Sequence, residues 1–226
     1  MWDALWAALA LGHQQQSVQP VVVAHALRVV ALRRLSLAVT FQIGDMAHWR
    51  GELLYIHVAP SASVPMQTLA ETRLVAGVGV EGDRYATRRG TYSNKHHIDR
   101  QATLIEVETL EALARDHGVD LAPHEHRRNL TTRGVPLNHL VGGYFSIGEC
   151  VLYGGRLNVP CRYLEELVGK KVFKPLLNRS GLNCRIVRGG LIRTGDAIAP
   201  CDPALLDAAA RSANEAFPLE RPPEAW

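Results

Sequence analysis

Acidic residues are absent from one stretch of this 226-residue chain and scarce in another. None lies between Asp3 and Asp45, and only Glu149, Glu165 and Glu166 lie between Arg127 and Arg193. Cysteine is limited to four, at positions 150, 161, 184 and 201, with no Cys-x-x-Cys pair. That argues against a disulfide scaffold or a zinc knuckle and makes reduced thiols in a cytoplasmic protein the expectation. Neither His-x-Glu…Cys-x-x-Cys nor His-Glu-x-x-His occurs, which disfavours a zinc enzyme. No apolar run approaches the roughly 20 residues that cross a bilayer, so no membrane span is expected. Gly 19 and Pro 12 are too few for collagen or a proline-rich linker. With 47% hydrophobic and 21% charged residues, the chain is globular, long enough for one generous domain or two small ones.

Residues 1–45 read differently from the rest. Two apolar runs, Ala4–Leu11 and Val21–Leu27, are split by Gly12-His13-Gln14-Gln15-Gln16, and Arg28, Arg33 and Arg34 are the cations. The positive charge is not ahead of the first apolar run, as a secretory signal needs. An acid-poor, arginine-bearing start also suits a transit peptide. Ordinary patterning begins at Met46, so 1–45 is expected to be a disordered or non-native extension. Residues 46–202 then form the domain, with a C-terminal helix and tail over 203–226.

Short strand candidates bounded by turn residues follow: Glu52–Val58, Leu74–Val80, Phe145–Ile147, Glu149–Tyr153, Cys184–Val187 and Ala197–Ala199. They lack a regular strand–helix alternation, which argues for a mostly β barrel or sandwich with peripheral helices. Three helices are expected. Leu104–His117 has capping-box spacing at Thr103 and Glu106 and a stop at Gly118. Tyr163–Leu177 is weakened by Gly169 and Pro175. Pro203–Ala216 starts with Asp202 as cap and Pro203 at its first position.

The formal net charge of +3 hides an asymmetry. Between Arg127 and Arg193 twelve basic residues, mostly arginine, face three acids. Such a field concentrates anions, and the planar guanidinium suits phosphate and other oxyanions. A charge run is more often a solvated surface. Three features point beyond that. Arg127-Arg128-Asn129-Leu130-Thr131-Thr132 mixes arginine with amide and hydroxyl donors. Arg162 directly follows a cysteine. Arg185 and Arg188 lie in apolar, strand-like sequence, where a charge needs a partner. Nucleic acid is disfavoured, because the stretch has little aromatic interleaving and no recognition-helix or RNA-binding signature.

Cys161 follows Pro160 at an expected helix start, beside Arg162. A thiol so placed is expected to be enriched in thiolate, the form that ligates metals or carries an extra sulfur. A structural role is the commoner fate of such a cysteine. Cys150 and Cys184 sit in strand patterns and read as small core residues, and Cys201 is ambiguous. His96 with His97, and His124 with His126 about Glu125, read as surface or rim residues.

Six blocks occur in order: Gly79-Val80-Glu81-Gly82-Asp83-Arg84, Asp99-Arg100-Gln101-Ala102-Thr103, Arg127-Arg128-Asn129-Leu130-Thr131-Thr132, Gly142-Gly143-Tyr144-Phe145, Pro160-Cys161-Arg162 and Gly181-Leu182-Asn183-Cys184-Arg185, with Gly195-Asp196-Ala197-Ile198 closing the series. Together they resemble a MOSC domain, the module named for the C-terminus of molybdenum cofactor sulfurases, over about residues 50–200. The resemblance implies a twisted β-barrel that binds the molybdenum cofactor (molybdopterin). Cys161 would be its metal ligand or a persulfide carrier. Arg128 and Asn129 would hold the cofactor's anionic end, and Arg127, which sits where relatives vary, would assist. Thr131, Arg162 and Arg185 join the candidate set from the charge reading. Asp83 and Arg84 match a glycine-aspartate turn that also suits a structural role.

A pyridoxal phosphate sulfurase domain does not fit in this length, so pyridoxal phosphate would enter only through a separate partner. The activity implied first is reduction of small N-hydroxylated substrates with electrons from an external donor protein. The alternatives are sulfur transfer fed by a cysteine desulfurase-type donor, and a non-catalytic cofactor carrier.

Overall fold

The computed structural model describes residues 48–95, 97–202, 204 and 206. The expected N-terminal extension and nearly all of the expected helix Pro203–Ala216 lie outside them. No helix among the described residues is long and apolar enough to cross a membrane.

Eleven strands and two α-helices are present among these residues. In chain order they are β1 (Gly51–Val58), β2 (Gln67–Leu69), β3 (Glu71–Val75), β4 (Gly79–Val80), β5 (Ala102–Glu106), α1 (Val107–His117), β6 (Leu130–Arg133), β7 (Tyr144–Ile147), β8 (Cys150–Leu157), α2 (Arg162–Val168), β9 (Leu182–Arg188), β10 (Gly190–Arg193) and β11 (Ala197–Pro200). Seven of them close a barrel in the order β11–β7–β8–β9–β5–β6–β1, with β11 returning to β1. Strand β1 serves two neighbours along one edge. Gly51 and Glu52 pair with β11, while Ile56–Val58 pair with β2. A separate sheet runs β10–β3–β4.

Alternation explains the barrel. Leu53, Ile56, Leu104, Leu130, Phe145, Ile147, Leu152, Leu182, Ile186 and Ile198 are buried and form the main core. Pair β5–β6 is parallel, unlike its neighbours, and α1 lies in the crossover that a parallel pair requires. A second apolar cluster, with Ile105, Leu110, Leu113, Leu164 and Val172, packs α1 and α2 together.

Several expected boundaries are corrected. Ala102–Glu106 is a barrel strand, so α1 begins at Val107 and Thr103 caps nothing. Pairing to β6 and β9 outweighs the local capping spacing there. Gly118 ends α1 in the left-handed conformation, φ 62°. Gly169 ends α2 in the same way, so no helix continues to Leu177. Leu74–Val80 is not one strand, because residues 76–78 turn between β3 and β4. Strands β2, β5, β6 and β10 were not among the expected ones.

Candidate functional site

At one end of the barrel a cavity of about 300 Å³ opens between five segments. The loop after β4 supplies Arg84, Tyr85, Thr91, Tyr92 and Lys95, and the turn before β5 supplies Arg100. Arg127 and Arg128 enter from the approach to β6, and Arg156 from the end of β8. Cys161, Tyr163 and Leu164 come from the start of α2. Six of the lining residues are cationic and none is acidic.

The arginines are held in different ways. Arg128 donates from Nε to the Ser180 carbonyl at 3.0 Å and from Nη2 to Ser180 Oγ at 2.7 Å. Its partners are neutral. Burial pushes its guanidinium down to about 10, with the Arg84 charge acting the same way and Cys161 acting against both. Arg127 donates from Nη1 to the Val64 carbonyl, while its buried Nη2 has no partner. Arg156 leaves a buried Nε without a partner. Burial lowers the pKa of both, and a neighbouring guanidinium lowers each further, Arg84 for Arg127 and Arg100 for Arg156. An anion in this cavity would relieve that repulsion.

Cys161 is half-buried, unpaired and set just ahead of α2, where its carbonyl accepts the Leu164 N–H at 3.1 Å. Tyr92 lines the same cavity, and its hydroxyl is pushed up to about 12 by burial, with Cys161 acting in the same direction. The other cysteines have different surroundings. Burial raises Cys150 to about 11 and Cys184 well above the usual thiol range. Both are fully buried in the barrel core. Cys201 packs against Val151 and Tyr153 on another face.

Of the residues singled out from sequence, Cys161, Arg84, Arg127 and Arg128 meet at this cavity. The rest stand elsewhere. Asn129 is buried behind the wall, where Oδ1 accepts from Thr103 Oγ1 at 2.8 Å and Nδ2 donates to the His57 carbonyl. Asp83 accepts the Ala59 and Tyr85 N–H groups and pairs with Arg84 at 2.9 Å. Thr131 bonds to His126 inside the barrel wall. Arg185 pairs with buried Asp99 at 3.2 Å, and glycine at 155 is what makes room, because a Cβ there would collide with the Asp99 carboxyl. Arg162 points away from the cavity into a groove with Lys170, Lys171 and Lys174.

One histidine reading is corrected. His126 is fully buried rather than a rim residue, because Thr131 and the Arg128 N–H satisfy both of its nitrogens. Sequence reasoning did not single out Tyr92, Arg100 or Arg156. The signal available was a long, cation- and tyrosine-bearing loop between glycines, a feature that compact domains keep for function.

A search of curated proteins finds no match to the chain. The MOSC domain profile matches residues 56–199. Among solved structures, the YuaD protein from Bacillus subtilis is similar at 20% identity and TM-score 0.57, covering 66% of this chain and 96% of that one. YiiM from Geobacillus stearothermophilus is similar at 14% identity and TM-score 0.53, covering 73% and 85%.

Proposed function

The chain belongs to the MOSC domain family, a family associated with molybdenum cofactor binding, and we propose that its basic cavity is the site for that cofactor. The observation that carries the proposal is the cavity lining of six cations and no acid; two of the cations, Arg127 and Arg156, each keep a buried guanidinium nitrogen without a partner. The donor set fits the group. Guanidinium and tyrosyl donors suit a phosphate and metal-bound oxygens. The soft thiol of Cys161 suits molybdenum. Among the described residues no cluster of three His, Cys, Asp or Glu could hold a metal by itself, so the metal would arrive with ligands of its own.

When bound, the cofactor supplies a redox-active metal centre together with the anion that the arginines recognise. The chain's own residues do the rest. Cys161 ligates the metal. Arg127, Arg128 and Arg156 hold the anionic end. The activity this arrangement suits best is reduction of a small N-hydroxylated substrate, with electrons from an external donor protein.

The test is the molybdenum content of protein produced alongside cofactor synthesis, with turnover of a hydroxylamine measured in parallel. Wild type is expected to retain molybdenum and turn over, and Cys161→Ala is expected to lose both. Wild type without molybdenum, or Cys161→Ala with full metal and activity, contradicts the proposal. An intact-mass sulfur adduct that disappears in Cys161→Ser would instead indicate sulfur transfer.

A further inference from the structure

Arg127 and Arg128 are adjacent in sequence, yet both line the same cavity. In extended chain, successive side chains point to opposite faces. The alternation is broken at Arg127, whose φ of 66° places it in the left-handed region that non-glycine residues disfavour. Such a conformation persists only where its surroundings enforce it.

The enforcing contacts converge on His126. The Arg128 backbone N–H donates to His126 Nδ1 at 2.9 Å, bridging across the strained residue. This is the turn that Asn and Asp make with their own backbone two residues on, here made by an imidazole. A backbone N–H can only donate, so Nδ1 carries no proton and the neutral ring keeps its proton on Nε2. That nitrogen meets Thr131 Oγ1 at 2.9 Å, so the ring is anchored to β6. The ring also stands edge-on to His57, with centroids 5.9 Å apart. The remaining restraints on this turn come from the arginines themselves. Arg128 Nη1 donates to the His126 carbonyl at 3.3 Å, and Arg84 Nη2 donates to the Arg127 carbonyl at 3.0 Å.

We infer that His126 is a positioning residue for the anion site: its Nδ1 braces the left-handed turn that brings two consecutive guanidinium groups to one wall. The inference rests on reading the cavity as an anion site and deepens that reading by naming what aligns the two arginines. Burial, then the Arg128 charge, keeps the ring neutral, in agreement with its acceptor role.

Two variants separate bracing from packing. In His126→Asn the amide oxygen replaces Nδ1 and can accept the Arg128 N–H. In His126→Gln the polar atoms move toward the Thr131 side and the brace is lost. Both remove the ring, so both lower thermal stability. The readout is affinity for inorganic phosphate, measured by calorimetry on the purified full chain. His126→Asn is expected to stay within about threefold of wild type and His126→Gln to lose about tenfold, the worth of one buried hydrogen bond. Equal losses in both variants, no loss in either, or no phosphate binding by wild type overturns the inference.

Wild type supplies a second readout that survives a folding failure of the variants. NMR should show the Nε2–H tautomer at His126 and slow exchange of the Arg128 amide. An Nδ1–H tautomer overturns the inference. Phosphate binding with this pattern but without molybdenum would defeat the cofactor reading while leaving the role of His126 intact.

Discussion

Arg185 and the arginines of the cavity are kept in different ways. Arg185 meets the Asp99 carboxylate at 3.2 Å, and the two are equally hidden from solvent. Arg127, Arg128 and Arg156 form no ion pair among the described residues, and two of them keep a buried N–H without a partner. A buried cation with its own carboxylate has its charge balanced inside the fold. A set of buried and half-buried cations that has none, each with its pKa lowered by burial and by a neighbouring guanidinium, is built to receive charge from outside.

The largest effect expected breaks the completed pair. Asp99→Ala removes the carboxylate that pairs with buried Arg185, and should cost about 3–5 kcal/mol of unfolding free energy, read by denaturant titration. A cost near that of a surface substitution would place Arg185 with the cavity arginines instead.

Acid acts on the wall behind the cavity. Burial, then the charge of His124, lowers His57 to about 4, against 6.5 for a free histidine. Its folded pKa lies below its unfolded one, so between these values the unfolded chain binds more protons and stability rises with pH. The stabilisation is present above pH 6.5 and lost as pH falls toward 4, by on the order of 3 kcal/mol. His57→Gln should reduce this slope in pH-dependent melting, leaving the part that His126, also buried and held neutral, contributes. An unchanged slope would assign the acid sensitivity to another group.

The smallest effect on stability is expected at Arg156. Arg156→Met deletes a buried nitrogen that has no partner and relieves repulsion from Arg100. Unfolding free energy should change by no more than about 0.5 kcal/mol. Phosphate affinity should fall about tenfold, as expected for a lost charge-assisted hydrogen bond. A large loss of stability with unchanged affinity would make Arg156 a structural residue like Arg185.

The same division explains what the sequence made legible. Periodicity placed β1, β7, β8, β9 and β11, because their buried residues alternate or run together in plain view. It missed β5, because Thr103 and Glu106 imitate a helix cap and only pairing with β6 and β9 reveals a strand. Cys161 and the Arg127-Arg128 step stood out by residue type. Tyr92, Arg100 and Arg156 did not, because they reach the cavity from segments far apart in the chain and lack a local pattern. His126 was misplaced because its partners, Thr131 and a backbone N–H, depend on a left-handed turn that residue spacing does not announce.

The acid-free cavity recognises an oxyanion through guanidinium groups that have no carboxylate of their own. Crystals of the protein grown with tungstate, whose metal gives a strong anomalous signal, test it most directly. An anomalous peak is expected inside the cavity, within hydrogen-bond distance of the Arg127, Arg128 or Arg156 guanidinium. An empty cavity with tungstate bound only along the Lys170–Lys174 groove would contradict it.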